Sequence, residues 1–468
     1  MNNIKKLAAL GLLVAPGYLL SYSAAKDSRG VTPDMLESFR AVYNKDASNK
    51  AIRNAIASNS IDVLAVNAEN QNNFDDHFSH RVESKGITNQ KQSGRCWLFT
   101  GLNVLRSQMM AEHDLPELKL SQSYNFFYDQ LEKSNLFLQG MIDYASKPMD
   151  DLMVQWLLKH PLSDGGQFTG VADLVTKYGV VPAEVMTESF SAENTTRLNY
   201  LLSLKLRENG LELRDLAGKV SDKKLYKRKQ EMLEEIYRML ALSIGEPPTK
   251  FTWTRRDKDG KAVDTREYTP QEFYNTYAGN DLQNNYVMLM NDPSRPFYEV
   301  YEIDYDRHTY DGQNWTYINL PIEEIKKVAI ESIKDSTMMY FSCDVGKYLD
   351  RTRGLLDPDN FDYESLMGTT FNMDKADRIR TYASASSHAM TLMAVDLNEN
   401  GEPTKWMVEN SWGDGPNKGH LIMTDRWFDE YMFRVVADKK YVDSSILELL
   451  KRKPTKLPAW DPMFLPEE

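Results

Sequence analysis

Only two of the 468 residues are cysteine, Cys96 and Cys343, so a disulfide framework and a cysteine-rich zinc site are both excluded. Positive charge is also in deficit. Lys and Arg number 56 against 68 Asp and Glu, a formal charge of −12 spread along the chain. That balance excludes the basic field a dedicated nucleic-acid binder uses to displace counterions. The clusters that do occur, such as Lys223–Gln230, alternate with acidic stretches and read as a solvated helix face. No internal repeat or low-complexity tract is present. No uninterrupted apolar run of spanning length occurs either. The longest candidate, Leu7–Leu20, is broken by Pro16-Gly17, preceded by Lys5-Lys6 and followed by Ser23-Ala24-Ala25. This order predicts a secretory signal over residues 1–25, cleaved after Ala25, and an exported protein with no membrane attachment after cleavage. A cytoplasmic protein with an N-terminal helix, or a retained anchor, is the alternative.

What remains is a globular balance, with 41% hydrophobic and 26% charged residues. Thr32 and Pro33 open a helical pattern that places Met35, Phe39, Val42 and Tyr43 on one face. Leu98, Phe99, Leu102, Leu105 and Met109 recur at helical spacing after Cys96. Ser121–Leu131, Pro148–Leu158 and Gly170–Tyr178 predict further helices. Ser191–Ser243, Leu-rich and charged, predicts a helical hairpin or small bundle. The stretch around Asp259-Gly260 predicts a β-hairpin. The last third is strand-rich, with Thr337–Ser342, Ala389–Asp396, Lys405–Glu409 and Gly419–Thr424 separated by turn residues. Helices first and strands later imply an α+β arrangement.

Four residues carry the chemical signal. Cys96 follows a turn-prone Ser93-Gly94 and heads an apolar helix, where the helix N-terminus favours a thiolate. Gln90 lies six positions earlier, across the turn, and its amide can return beside the sulfur to form an oxyanion hole with the Cys96 N–H. His388 opens a strand in Ser387-His388-Ala389-Met390. Asn410 ends one in Glu409-Asn410-Ser411-Trp412-Gly413, where its carbonyl can accept an imidazole N–H and Trp412 can shield that bond. Taken singly, Cys96 reads as a buried apolar thiol and His388 as a structural histidine. Cys343 reads as a structural thiol.

Taken together, in the order Gln, Cys, His, Asn, these segments resemble the papain family of cysteine peptidases. Asp164-Gly165-Gly166-Gln167 matches the family segment that pairs with an extended substrate. The interval from Cys96 to His388, 388 − 96 = 292 residues, is about twice the ~130–150 of papain-type enzymes. That excess and the local wording narrow the resemblance to bleomycin hydrolase and bacterial aminopeptidase C. It is carried by TNQKQSGRCWLF (Thr88–Phe99), LSQSYNFFYDQLEKSN (Leu120–Asn135), FSCDVGK (Phe341–Lys347), SSHAMT (Ser386–Thr391), VENSWG (Val408–Gly413) and PAWDPM (Pro458–Met463).

The resemblance implies a papain-like fold with a helical half over residues 26–190 and a β half over 321–455. Between them, 191–320 form an insertion that supports a homohexamer, and 456–468 form a tail entering the cleft. It implies Cys96 as nucleophile, His388 as base, Asn410 as its orienter and Gln90 in the oxyanion hole. Gly165, Gly166, Trp412 and Glu468 are implied as substrate-binding positions. Peptides are the expected substrates, and no metal or organic cofactor is expected. One departure bears on specificity. Relatives commonly end in a Gly-Ala-Leu-Ala-like tail, and this chain has Phe464-Leu465-Pro466-Glu467-Glu468. Aminopeptidase action, with the tail in the cleft, and endopeptidase action, with an open cleft, both stay open on sequence. A non-catalytic peptide-binding protein on the same fold is the third reading.

Overall fold

The structure, a computed structural model, describes residues 29–70 and 75–463. The predicted signal segment and Glu468 lie outside the described residues. The chain divides into two compact units at Ala65 and Val66. In the first, Thr32 Oγ1 accepts the Met35 N–H at 3.3 Å and starts helix Pro33–Lys45, followed by helices Ser48–Ile56 and Ile61–Ala65. Met35, Phe39, Val42 and Tyr43 all remain exposed.

The second unit is built on one large mixed sheet. Its strands run in the order Thr455–Leu457, Glu299–Ile303, Thr316–Asn319, Tyr286–Met290, Met432–Asp438, Met339–Cys343, His388–Leu397, Pro403–Glu409, His420–Thr424, Leu355–Leu356 and Leu349–Asp350. The short strand His80–Arg81 adds to His388–Leu397 from the side. Three of these strands, between Tyr286 and Asn319, come from the stretch read as an insertion, so that stretch supplies part of the main sheet. Met339–Cys343 shows how the sheet sorts side chains. Tyr340 turns to the helical side, whereas Met339, Phe341 and Cys343 enter the core on the other face, as the two-residue strand period requires.

On the helical side, Cys96–Glu112 and Gln122–Asp143 pack with a helical hairpin, Thr196–Leu216 and Asp222–Ile244. Leu198, Leu202 and Leu206 on one arm, and Met232, Ile236, Leu240 and Ile244 on the other, recur every fourth residue and are buried in one core. Full burial of each such side chain stabilises the fold by roughly 1.5–3 kcal/mol. The helix expected over Pro148–Leu158 begins later, at Leu152. Asp151 caps it by accepting the N–H groups of Met153 and Val154, leaving the preceding residues as turn. The hairpin expected around Asp259-Gly260 forms from Phe251–Arg256 and Ala262–Tyr268.

Candidate active site

Cys96 is the first residue of its helix, and the first-turn N–H groups of a helix point outward from its ladder. The loop before it is fixed by the chain segment that carries Asn410. Gln90 N–H donates to the Ser411 carbonyl at 2.8 Å, and Gly413 N–H donates to the Thr88 carbonyl at 3.0 Å. Gly413 has φ +78°, and a Cβ there would lie 2.5 Å from Asn89 Nδ2, so this short ladder requires glycine. The Gln90 side chain is held at both ends. Its Oε1 accepts from Ser411 Oγ at 2.6 Å, and its Nε2 donates to the Ser93 carbonyl at 2.6 Å. One of the two amide hydrogens is thereby used, and Gln90 is not among the residues lining the cavity that holds Cys96 and His388.

Geometry also settles the His388 tautomer. Asn410 Oδ1 accepts the Ser411 backbone N–H at 2.8 Å, which identifies that atom as the oxygen. The same atom lies 2.8 Å from His388 Nε2, so Nε2 carries the proton and donates. Nδ1 is then the basic nitrogen of the neutral ring. Burial drives the His388 pKa down to about 4, with Asn410 pulling it up and the Arg351 charge pushing it further down. An imidazolium here needs a negative neighbour. Trp412 lies over the His388 ring, 4.9 Å between centroids, with the Arg351 guanidinium 5.3 Å from its own ring. Trp412 is not among the residues lining the cavity.

Cys96 and His388 line one cavity of about 200 Å³, together with Gly165, Gly166, Gln167, Ser342, Ala389 and Met463. Gly165 faces open space, since a Cβ there would meet only Ser163 Oγ at 3.8 Å. Gly166 is different. A Cβ there would fall 2.2 Å from His308 Cε1 and 2.7 Å from Trp97, so its glycine is required by packing from behind, a reason the sequence did not disclose. Asp306, also on the cavity, is pushed up to about 6 by burial, against the Arg434 and Lys133 charges.

Several supporting roles had no sequence signal strong enough to disclose them. Asp164 accepts the Gly94 N–H at 2.6 Å through Oδ2 and the Trp97 indole N–H at 2.8 Å through its carbonyl, tying the glycine segment to the Cys96 loop. Arg106 on the Cys96 helix pairs with Glu409 at 3.6 Å, both buried, joining that helix to the residue before Asn410. Arg434 donates to Gln167 Oε1 at 2.5 Å and to the Met463 carbonyl at 2.7 Å. Ser411, which holds the Gln90 amide, was present in the Asn-Ser-Trp-Gly motif without a role. Among the described residues no group of three or more His, Cys, Asp or Glu side chains is arranged to hold a metal ion.

A helix-heading thiol, an imidazole with its proton fixed on the far nitrogen and an amide beside the sulfur loop together suit nucleophilic acyl transfer. On the mixed helix and sheet fold, they define a papain-like cysteine peptidase. The family model of the Peptidase C1-like family matches residues 30–464, and the chain belongs to that family. Aminopeptidase C of Lactobacillus delbrueckii subsp. lactis is 37% identical, covering 93% of this chain and 98% of its own length. Human bleomycin hydrolase is 42% identical over 82% of this chain and 88% of its own. The crystal structure of PepW from Lactobacillus rhamnosis HN001 (DR20) superposes with a TM-score of 0.90 at 38% identity, covering 93% of this chain and 99% of that one.

Proposed function

We propose that this protein is a cysteine-type aminopeptidase in which Cys96, His388, Asn410 and Gln90 perform acyl transfer on the first peptide bond of a substrate. His388 Nδ1 takes the Cys96 proton, and the thiolate attacks the carbonyl carbon. Gln90 and the Cys96 N–H hold the oxyanion. The imidazolium protonates the leaving amine as the C–N bond breaks, leaving a thioester. The neutral ring then removes a proton from water, whose oxygen attacks the thioester carbonyl; the C–S bond breaks, the acid leaves, and Cys96 departs as the thiolate beside the imidazolium. The observation that carries this reading is the connected set of bonds from His388 through Asn410 and Ser411 to Gln90, with His388 on the Cys96 cavity.

Removal of N-terminal residues is supported by the relatives' names and by Met463, which lines the cavity and is clasped by Arg434. The tail to Glu468 is proposed to limit the cleft to free amino termini. Assembly into a homo-oligomer, a hexamer by resemblance, is supported by the exposed Tyr200, Leu201, Leu204 and Leu211 of the helical hairpin. Export is supported by the pattern of residues 1–25 alone.

Time-resolved mass spectrometry of paired free and N-acetylated peptides tests this. Sequential trimming of the free peptide only is expected, and Cys96→Ala abolishes it with the fold retained. Internal cleavage of both peptides contradicts the aminopeptidase reading. Turnover by Cys96→Ala in protease-free preparations contradicts the nucleophile.

A further inference from the structure

Behind the Gly165–Gly166 segment lies a buried charged cluster that no step of acyl transfer uses. Asp129, fully buried on helix Gln122–Asp143, accepts from two sides. His308 Nδ1 lies 2.5 Å from its Oδ1 and Lys133 Nζ 2.8 Å from its Oδ2. Gln130 Nε2 adds a third bond to Oδ2 at 3.0 Å. The Lys133 ammonium goes on to donate to two backbone carbonyls, Gly165 at 2.6 Å and Ser163 at 3.1 Å. The His308 ring stands edge-on to Trp97, 4.6 Å between centroids, and fills the space that side chains at Gly166 and Gly170 would need.

Burying an ion pair is costly, and apolar packing would serve stability as well. The cluster does something apolar packing cannot, because it fixes the direction of a peptide group. In a trans peptide the carbonyl and the next N–H point opposite ways. With the Gly165 carbonyl drawn onto Lys133, the Gly166 N–H is turned away from Lys133. We infer that Lys133, held by Asp129 and His308, is a positioning residue that sets the Gly165–Gly166 peptide plane so that the Gly166 backbone meets an extended peptide in the cleft. Asp129 remains ionised because Lys133 and His308 outweigh its burial, and His308 remains neutral because burial and Lys133 outweigh Asp129. The cluster is therefore one cation and one anion in direct contact, with the neutral imidazole on the other oxygen of Asp129.

This inference rests on Cys96 acyl transfer, so its test separates the two. Lys133→Met, Lys133→Arg and His308→Phe, in the full chain, are compared with wild type on a free tetrapeptide. In parallel, the rate of Cys96 alkylation by iodoacetamide is followed, since that reagent is too small to use the glycine backbone. Loss of the two charge-assisted bonds from Lys133 to the Ser163 and Gly165 carbonyls predicts that Lys133→Met raises KM about tenfold, with kcat changed less than about threefold and alkylation within about twofold. Lys133→Arg recovers part of the KM. His308→Phe, which retains the ring and loses Nδ1, raises KM by about threefold and serves if Lys133→Met does not fold. An unchanged KM in the folded variants, or alkylation that slows in parallel with kcat/KM, overturns the inference. Absence of hydrolysis by wild type instead overturns the acyl-transfer reading.

Discussion

Two buried histidines, His388 and His308, line the same cavity and differ in the partner of one ring nitrogen. His388 donates to a neutral amide, Asn410. His308 faces a carboxylate, Asp129, which is itself backed by Lys133. The carboxylate fixes the His308 proton on Nδ1 and closes the local charge, so that ring is a structural wedge. The amide fixes the orientation of His388 without supplying charge. Burial then leaves the His388 pKa near 4 unless the thiolate of Cys96 is beside it. A neutral orienter makes the imidazolium depend on the sulfur, which is what a base that must both take and return a proton requires.

The largest consequence is a difference between the two rings. His388→Ala lowers kcat/KM by about four orders of magnitude, whereas His308→Phe stays within about tenfold and acts through KM. Comparable losses of kcat in both variants, measured by steady-state kinetics, would erase the distinction. A second consequence concerns a charge pair that belongs with the His308 kind. Arg106 and Glu409 are both buried, and Arg106→Met leaves the Glu409 carboxylate without its cation. This variant is expected to lose about 3–5 kcal/mol in urea unfolding. A loss under about 1 kcal/mol would show that Glu409 is satisfied elsewhere, for example by Ser84, whose hydroxyl also reaches it.

The two kinds of residue were unequally legible in the sequence. Gln90, Cys96, His388 and Asn410 sit in short stretches whose order along the chain is itself informative, and the structure brings His388, Asn410 and Gln90 into one bonded set. The helix headed by Cys96 was legible from apolar spacing, and the one predicted over Ser121–Leu131 forms with Ser121 as its cap, accepting the Tyr124 N–H at 3.1 Å, but runs on to Asp143. His308 was not. It lies in the polar run Asp306-Arg307-His308-Thr309, far in sequence from Asp129 and Gly166, and only the fold brings them together. Of the strands between Tyr286 and Asn319, Tyr286–Leu289 and Tyr298–Ile303 read as strand-like by themselves, but their place in the main sheet was not legible, because it depends on pairing with Met432–Asp438 near the end of the chain. Non-local pairing leaves little local trace.

The direct test of the central claim is the titration of the His388 imidazole, followed by NMR in wild type and in Cys96→Ala. An imidazolium is expected at pH 7 in wild type, sustained by the thiolate, and a neutral ring in Cys96→Ala until the pH approaches about 4. The same titration in both proteins would contradict a thiolate–imidazolium pair between Cys96 and His388.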